Sequence, residues 1–297
     1  GSFTEYLIPT ANSYPEAITV GPDGNLWFAE NIGRKIGKVT PFGSITEYPI
    51  PTVGYDARGI TTGPDGNLWF TLHSSIGKVT ASGTFMEYPI PSGGSPIKIT
   101  LGPDGNLYVI GEYAGTLSLG DGHDHQSEGP SPFVASYDRD GAVRRVVAGA
   151  GATATGMRAL AFHDGAVIVG GDAVGELRFA GATWAQPVMP GPFVAAIDLA
   201  TGVPRWTNPM PSFTGKVLAI AAADDGAVLV GGFFAERLEP GPGLVLTGAR
   251  RMLRSWLAAL DGPTGTARWA MVIGEGNESE IRAIAALPEG GALVIGD

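Results

Sequence analysis

The sequence predicts an all-β fold, a single six-bladed β-propeller whose blades are mostly four-stranded antiparallel sheets. Three observations carry this. The hexapeptide Gly-Pro-Asp-Gly-Asn-Leu occurs at 21–26, 63–68 and 102–107, followed by Trp27-Phe28, Trp69-Phe70 and Tyr108-Val109. Asp-Gly between apolar runs marks a hairpin, because the turn needs positive φ and glycine adopts it without strain. Hairpin glycines at Gly24, Gly66, Gly105, Gly165, Gly226 and Gly291 then recur at intervals of 42, 39, 60, 61 and 65 residues. Periods of this size belong to solenoids and propellers, and six hairpins imply six blades.

The elements follow in order. The first unit reads Ala17–Val20, the hairpin, Leu26–Ala29, Lys35–Val39, a Pro-Phe-Gly turn and Ile45–Ile50. These are four short β runs separated by turn residues, as in a propeller blade. The second unit repeats them as Gly59–Thr62, Leu68–Thr71, Ser75–Val79 and Phe85–Ile90. Pro49 and Pro89 place the last run at an edge, where no ladder bond is lost. The third unit begins alike and then changes: Tyr108–Leu117, a long Gly/Asp/His loop, Pro132–Asp138 and Val143–Val147. Later units keep that longer pattern, with Pro192–Asp198 and Ser255–Asp261 matching Pro132–Asp138. Residues 1–297 are thus read as one domain, with short blades over 3–107 and long blades over 108–297. Phe3–Pro9 copies the outer runs Ile45–Pro51 and Phe85–Pro91, so it is expected as an N-terminal strand closing the last blade beside Ile281–Leu287 and Ala292–Ile295. That last blade has no evident third strand.

Composition bounds the function. Charged residues are only 16% of the chain against 44% apolar, so buried β surface holds the blades. A net charge of −10 argues against nucleic acid, whose binding relies on Lys and Arg. The absence of cysteine removes disulfide and thiolate chemistry. No apolar run reaches membrane-spanning length, no signal peptide is evident, and Gly1-Ser2 reads as the remnant of a cleaved tag on a recombinant chain. Localisation is left unassigned, with parents expected to be bacterial, exported ones among them.

Residues 3–107 closely resemble the virginiamycin B (streptogramin B) lyase family, whose blades repeat Pro-x-x-Ile-x-x-Gly-Pro-Asp-Gly-Asn-Leu-Trp-Phe-x-Glu and end in Ile-Thr-Glu-Tyr-Pro-Ile-Pro. Residues 108–297 look like a second, longer-bladed bacterial propeller family, with Gly-Gly after the second strand and Phe-Val-Ala-x-x-Asp as the third. The chain reads as a hybrid of the two, engineered rather than natural. The resemblance implies elimination across the ester of a cyclic depsipeptide by channel-face histidines and glutamates with magnesium. The family's histidine stands before the innermost strand, and its equivalents here are read as Glu16, Arg58 and Lys98. The glutamate after Trp-Phe-x survives as Glu30, while Leu72 replaces it in the second blade. Glu16 and Glu30 are the candidate pair for a hard cation; no catalytic residue is assigned.

Other features have plainer readings. His73 and His163 fall in turns, and His123-Asp124-His125 forms a polar loop without a third fixed metal ligand. Gly170-Gly171 and Gly231-Gly232 relieve crowding between strands. Trp27, Trp69, Trp206, Trp256 and Trp269 are expected to pack blade on blade, with Trp184 near a loop, and Arg250, Arg251 and Arg254 lie in an inserted solvated loop. The leading expectation is a scaffold with no catalysis of its own and no cofactor. The alternatives are a module binding a small ligand or glycan in the central channel, and a residual magnesium-dependent lyase. A monomer is expected, with self-association through the incomplete last blade as the competing outcome.

Overall fold

The computed structural model describes residues 4–52, 56–90, 92–120, 122–179, 181–248, 252–274, 279–288 and 291–296. Among them there is no helix, and every strand pairing given is antiparallel. The first sheet runs in the order β1 (Pro15–Val20), β2 (Leu26–Glu30), β3 (Lys35–Val39), β4 (Ile45–Pro49), and the second repeats it with β5 (Ile60–Thr62), β6 (Leu68–Thr71), β7 (Ser75–Val79) and β8 (Phe85–Pro89). The third contains β9 (Ser92–Leu101), β10 (Leu107–Ser118), β11 (Asp124–Tyr137) and β12 (Val143–Ala148). The fourth contains β13 (Ala150–His163), β14 (Ala166–Phe179), β15 (Ala182–Asp198) and β16 (Pro204–Pro209). The fifth orders β17 (Ser212–Ala222), β18 (Ala227–Gly241), β20 (Arg254–Asp261) and β21 (Ala267–Ile273), with β19 (Leu244–Thr247) folded onto β18. The sixth has two strands, β22 (Ile281–Ala286) and β23 (Ala292–Gly296). These antiparallel sheets are those of a β-propeller, one sheet per predicted hairpin.

Two compact units make up the chain. The first holds Gly1–Gly111, Leu117–Asp124 and Val134–Arg145; the second holds Glu112–Thr116, His125–Phe133 and Val146–Asp297.

In the first unit the repeated hexapeptide builds a three-residue hairpin loop. Gly21 N–H bonds Asn25 O at 2.7 Å, and Gly24 at φ 74° supplies the left-handed residue. Asp23 Oδ1 accepts from Asn25 N (3.2 Å) and from the buried Trp27 Nε1 (2.9 Å). Trp27 stacks on Tyr48 at 5.4 Å, and Lys38 Nζ lies 5.2 Å from the Trp27 ring and 3.6 Å from Asp23 Oδ2. The second blade repeats the set with Asp65, Trp69, Lys78 and Tyr88. Each outer-strand tyrosine also covers a turn glycine of the following blade. A Cβ on Gly83 would meet the Tyr48 ring at 2.6 Å, and one on Gly141 the Tyr88 ring at 2.5 Å. Between these two blades lies a core of Trp27, Ile36, Ile60, Leu68, Phe70 and Val79.

The second unit uses a different corner. Its Asp164-Gly165 hairpin has positive φ at both residues (44° and 69°), the two-residue turn that Asp-Gly favours. Arginines tie turn to turn: Arg205 bonds Asp198 Oδ2 (2.8 Å) and Asp164 O (2.5 Å), and Arg268 bonds Asp261 Oδ1 (2.7 Å). Trp206 donates to Gly262 O at 2.6 Å and covers Gly265, where a Cβ would meet its ring at 2.3 Å. Val194, Ala196, Trp206, Val228, Val230 and Trp256 belong to the core formed there.

Several expectations change. The Gly/Asp/His loop is short, because β10 runs to Ser118 and β11 starts at Asp124. Thr4–Ile8 takes part in no strand pairing among the described residues, and β22–β23 stays a two-stranded sheet. The segment docks on the first blade instead: Tyr6 covers Gly43, and Thr10 N–H bonds Glu47 Oε1 at 2.9 Å, while Leu7 stays 95% exposed. Trp27, Trp69 and Trp256 are fully buried and Trp206 is 9% exposed, but Trp269 is 41% exposed. The Trp184 side chain and Arg250 and Arg251 lie outside the described set.

Candidate functional site

The inner strands share one irregularity. In β1, Pro15 pairs with Glu30 and Ala17 with Ala29, so Glu16 is the extra residue of a bulge. In the second blade Arg58 N–H bonds Thr71 O while Thr71 N–H bonds Gly59 O, again two residues opposite one. In the second unit the register skips Arg158, Leu218 and Arg282. A bulge re-aims its side chain out of the pleat, which is why such positions so often carry binding groups. Counting back from Thr19-Val20-Gly21, Thr61-Thr62-Gly63 and Thr100-Leu101-Gly102, the third-blade equivalent of Glu16 and Arg58 is Ile97, with Lys98 one step further along. The two residues before the shared Ile18, Ile60 and Ile99 set that register.

The two carboxylates paired by the sequence reading lie in different surroundings. Glu16 is exposed, and Asn31 Nδ2 donates to its Oε1 at 2.8 Å. Glu30 ends β2 at 0% exposure, and neither carboxyl oxygen has a hydrogen-bond partner among the described residues. It lies against Gly33, where a Cβ would be 2.4 Å from Oε2. Burial raises its pKa from 4.5 to about 7; the Glu47 charge adds to this, and Lys35 opposes it. Lys35 is already engaged, its Nζ 2.5 Å from both Glu47 Oε2 and Thr10 Oγ1. The second blade lacks the charges: Leu72 replaces Glu30 and Ser75 replaces Lys35, while Thr52 still donates to Glu87. A carboxyl titrating near neutrality is suited to proton transfer. This one is closed off from solvent.

Glycine takes the place of Glu30 in the longer blades. A Cβ on Gly171 would sit 1.8 Å from Gly156 O, on Gly232 2.0 Å from Lys216 O, and on Gly296 2.0 Å from Glu280 O. Two strands press together at that point, so no side chain fits.

Sequence reasoning missed Asp172. It follows the Gly170-Gly171 pair, is 5% exposed, and has Lys216 Nζ 3.6 Å from its Oδ1. Burial raises its pKa in spite of the Lys216 and Arg158 charges. A charged residue directly after two crowding-relief glycines was the available signal. The described residues contain no group of three His, Asp or Glu side chains able to hold a metal ion. Magnesium prefers octahedral oxygen ligation; with Glu16 at the surface and Glu30 in the interior the donor set does not fit.

These features define a β-propeller whose inner strands carry a bulge at Glu16, Arg58, Arg158, Leu218 and Arg282. A model described as the virginiamycin B lyase family matches residues 1–121. Among solved structures, virginiamycin B lyase from Staphylococcus aureus is 21% identical, with 86% of this chain and 81% of that chain covered and a TM-score of 0.56. A catalytically inactive histidine-to-alanine variant of that enzyme with quinupristin gives 20% identity, 89% and 83% coverage and a TM-score of 0.54. Hydrazine synthase from Kuenenia stuttgartiensis gives 15% identity, 98% and 75% coverage and a TM-score of 0.62. At these identities the likeness is one of fold. No curated protein matches the chain.

Proposed function

We propose that the chain is a virginiamycin B lyase-like propeller serving as a scaffold without lyase chemistry, built from two kinds of blade. One observation carries the reading: the position where the lyase resemblance expects histidine holds Glu16 and Arg58, both at bulges, and Ile97 by its place in the repeat. The match to residues 1–121 ends soon after the blade pattern lengthens, which supports two ancestries. Quinupristin incubated with excess protein and magnesium, followed by mass spectrometry, should yield no linearised product. Linear product that disappears in Glu30→Gln would replace this reading with a lyase.

A second reading, a module for an anionic ligand, draws on Arg158 and Arg282 at bulges of inner strands in an otherwise acidic chain. A thermal-shift screen of carboxylates and acidic glycans tests it; stabilisation lost in Arg158→Ala would favour it.

A further inference from the structure

Two inner strands of the second unit bring cations to Asp172. This residue lies on β14, opposite Gly156 of β13 and Pro192 of β15. Its side chain is buried, yet Oδ1 has no hydrogen-bond partner among the described residues. β17 packs against β13 and β14, and its Lys216 places Nζ 3.6 Å from that oxygen, beyond hydrogen-bond reach. Arg158, half-buried, is the bulge residue of β13. Gly156 shows how near it comes: a Cβ there would stand 2.8 Å from Asp172 Oδ1 and 3.0 Å from both Nε and Nη2 of Arg158. Glycine thus leaves a space bordered by a carboxylate oxygen and a guanidinium. The fold does not demand this set, because in the fifth blade Phe233 takes the place of Asp172, after the matching Gly231-Gly232 pair.

The charges in this group do not balance. A guanidinium and an ammonium offer about eight N–H donors between them, and one carboxylate has about four acceptor sites. One further negative charge would neutralise the group. We propose that Arg158, Lys216 and Asp172 bind a hydroxycarboxylate, a ligand with a hydroxyl on one of the two carbons nearest its carboxylate, as in a sugar acid. The inference rests on the reading of the chain as a module for an anionic ligand, and it specifies that ligand. The planar fork of Arg158, with Lys216 beside it, takes the carboxylate. Asp172 Oδ1 repels a bare anion but accepts a hydrogen bond from a neighbouring hydroxyl. A plain carboxylate therefore leaves Asp172 buried and unpartnered, which is costly. A neutral sugar leaves the two cations without their counter-charge.

The test is isothermal titration of the full chain with paired ligands. Lactate is compared with propionate, which lacks only the hydroxyl, and galacturonate with galactose, which lacks the carboxylate. Lactate should bind at least about tenfold more tightly than propionate, the size of one hydrogen bond to a charged group. Galacturonate should bind and galactose should not. A galacturonate trimer separates the sources of this chemistry: binding tighter than the monomer's supports a glycan terminus, and equal binding supports a free hydroxy acid. Arg158→Ala should abolish binding of both acids. Asp172→Ala should remove the advantage of lactate over propionate, and Asp172→Asn, which keeps an oxygen acceptor without the charge, should tighten propionate binding. Arg178→Ala, an exposed arginine near the end of β14, should change nothing. The paired ligands test the unaltered chain, so a variant that fails to fold does not spoil the comparison. Lactate and propionate binding equally well, both lost in Arg158→Ala, would overturn this inference and leave the anion-binding reading in place. Absence of binding by every acid at millimolar concentration would overturn both.

Discussion

Glu30 makes stability depend on pH in a direction opposite to that of most carboxylates, and Glu30→Gln isolates the effect. Its carboxyl is fully buried, has no hydrogen-bond partner among the described residues, and titrates at about 7 instead of 4.5. Between those two values the folded chain holds a proton that the unfolded chain has released. Stability rises with pH only where the unfolded state binds more protons, so this group removes stability as pH climbs from 4.5 to about 7, after which the loss is complete. At about 1.4 kcal/mol per pH unit the loss comes to about 3 kcal/mol. For a chain of this size that is roughly 5 °C in Tm. The assay is urea unfolding or thermal melting of wild type and variant at pH 5 and pH 8. The amide of Glu30→Gln does not ionise, so the difference between variant and wild type should grow by about 3 kcal/mol from the lower pH to the higher. Comparing the difference cancels the other titrating groups, Asp172 among them. Glu30→Leu, which installs the residue that the second blade carries at Leu72, should show the same growth without a buried amide. Wild type and Glu30→Gln profiles that run parallel from pH 5 to pH 8 would refute the reasoning.

Other outcomes follow from the packing. Gly171→Ala should cost upwards of about 2 kcal/mol in urea unfolding, because its Cβ would fall 1.8 Å from Gly156 O. Gly24→Ala, in open space at φ 74°, should cost only about 1 kcal/mol by the same measurement. Asp65→Ala removes the acceptor of the buried Trp69 Nε1 and the partner of Lys78, and should cost about 1–3 kcal/mol in the same unfolding assay.

The fold was legible because its information is local. Each Asp-Gly hairpin announces itself in two residues, and the β runs around it alternate with turns, so sheets of four strands could be written down from Leu26, Lys35 and Ile45 onward. The site was less legible, for a reason that Glu16 and Glu30 make plain. They are matched by the family pattern, yet β pairing sends one to solvent and the other to the interior, and a bulge decides which. Bulges have no composition signature. Trp269 shows the limit from the other side. Its sequence context equals that of Trp206, but burial is decided by a neighbouring blade, which a local pattern does not contain.

The bulge row also explains how one architecture can carry unlike chemistry. Residues inside the ladders repeat closely, as Phe28 and Phe70 do with Gly37 and Gly77. The pairs are held by the same contact: Phe28 and Phe70 each lie 2.1 Å from a would-be Cβ on Gly37 and Gly77. The bulge residues are mixed in kind: Glu16 is acidic, Leu218 apolar, and Arg58, Arg158 and Arg282 basic. A side chain that leaves the pleat escapes the packing that fixes its neighbours, so substitution there leaves the sheet untouched. The residue at that position can therefore change without disturbing the blade, which is how one propeller fold can present unlike side chains.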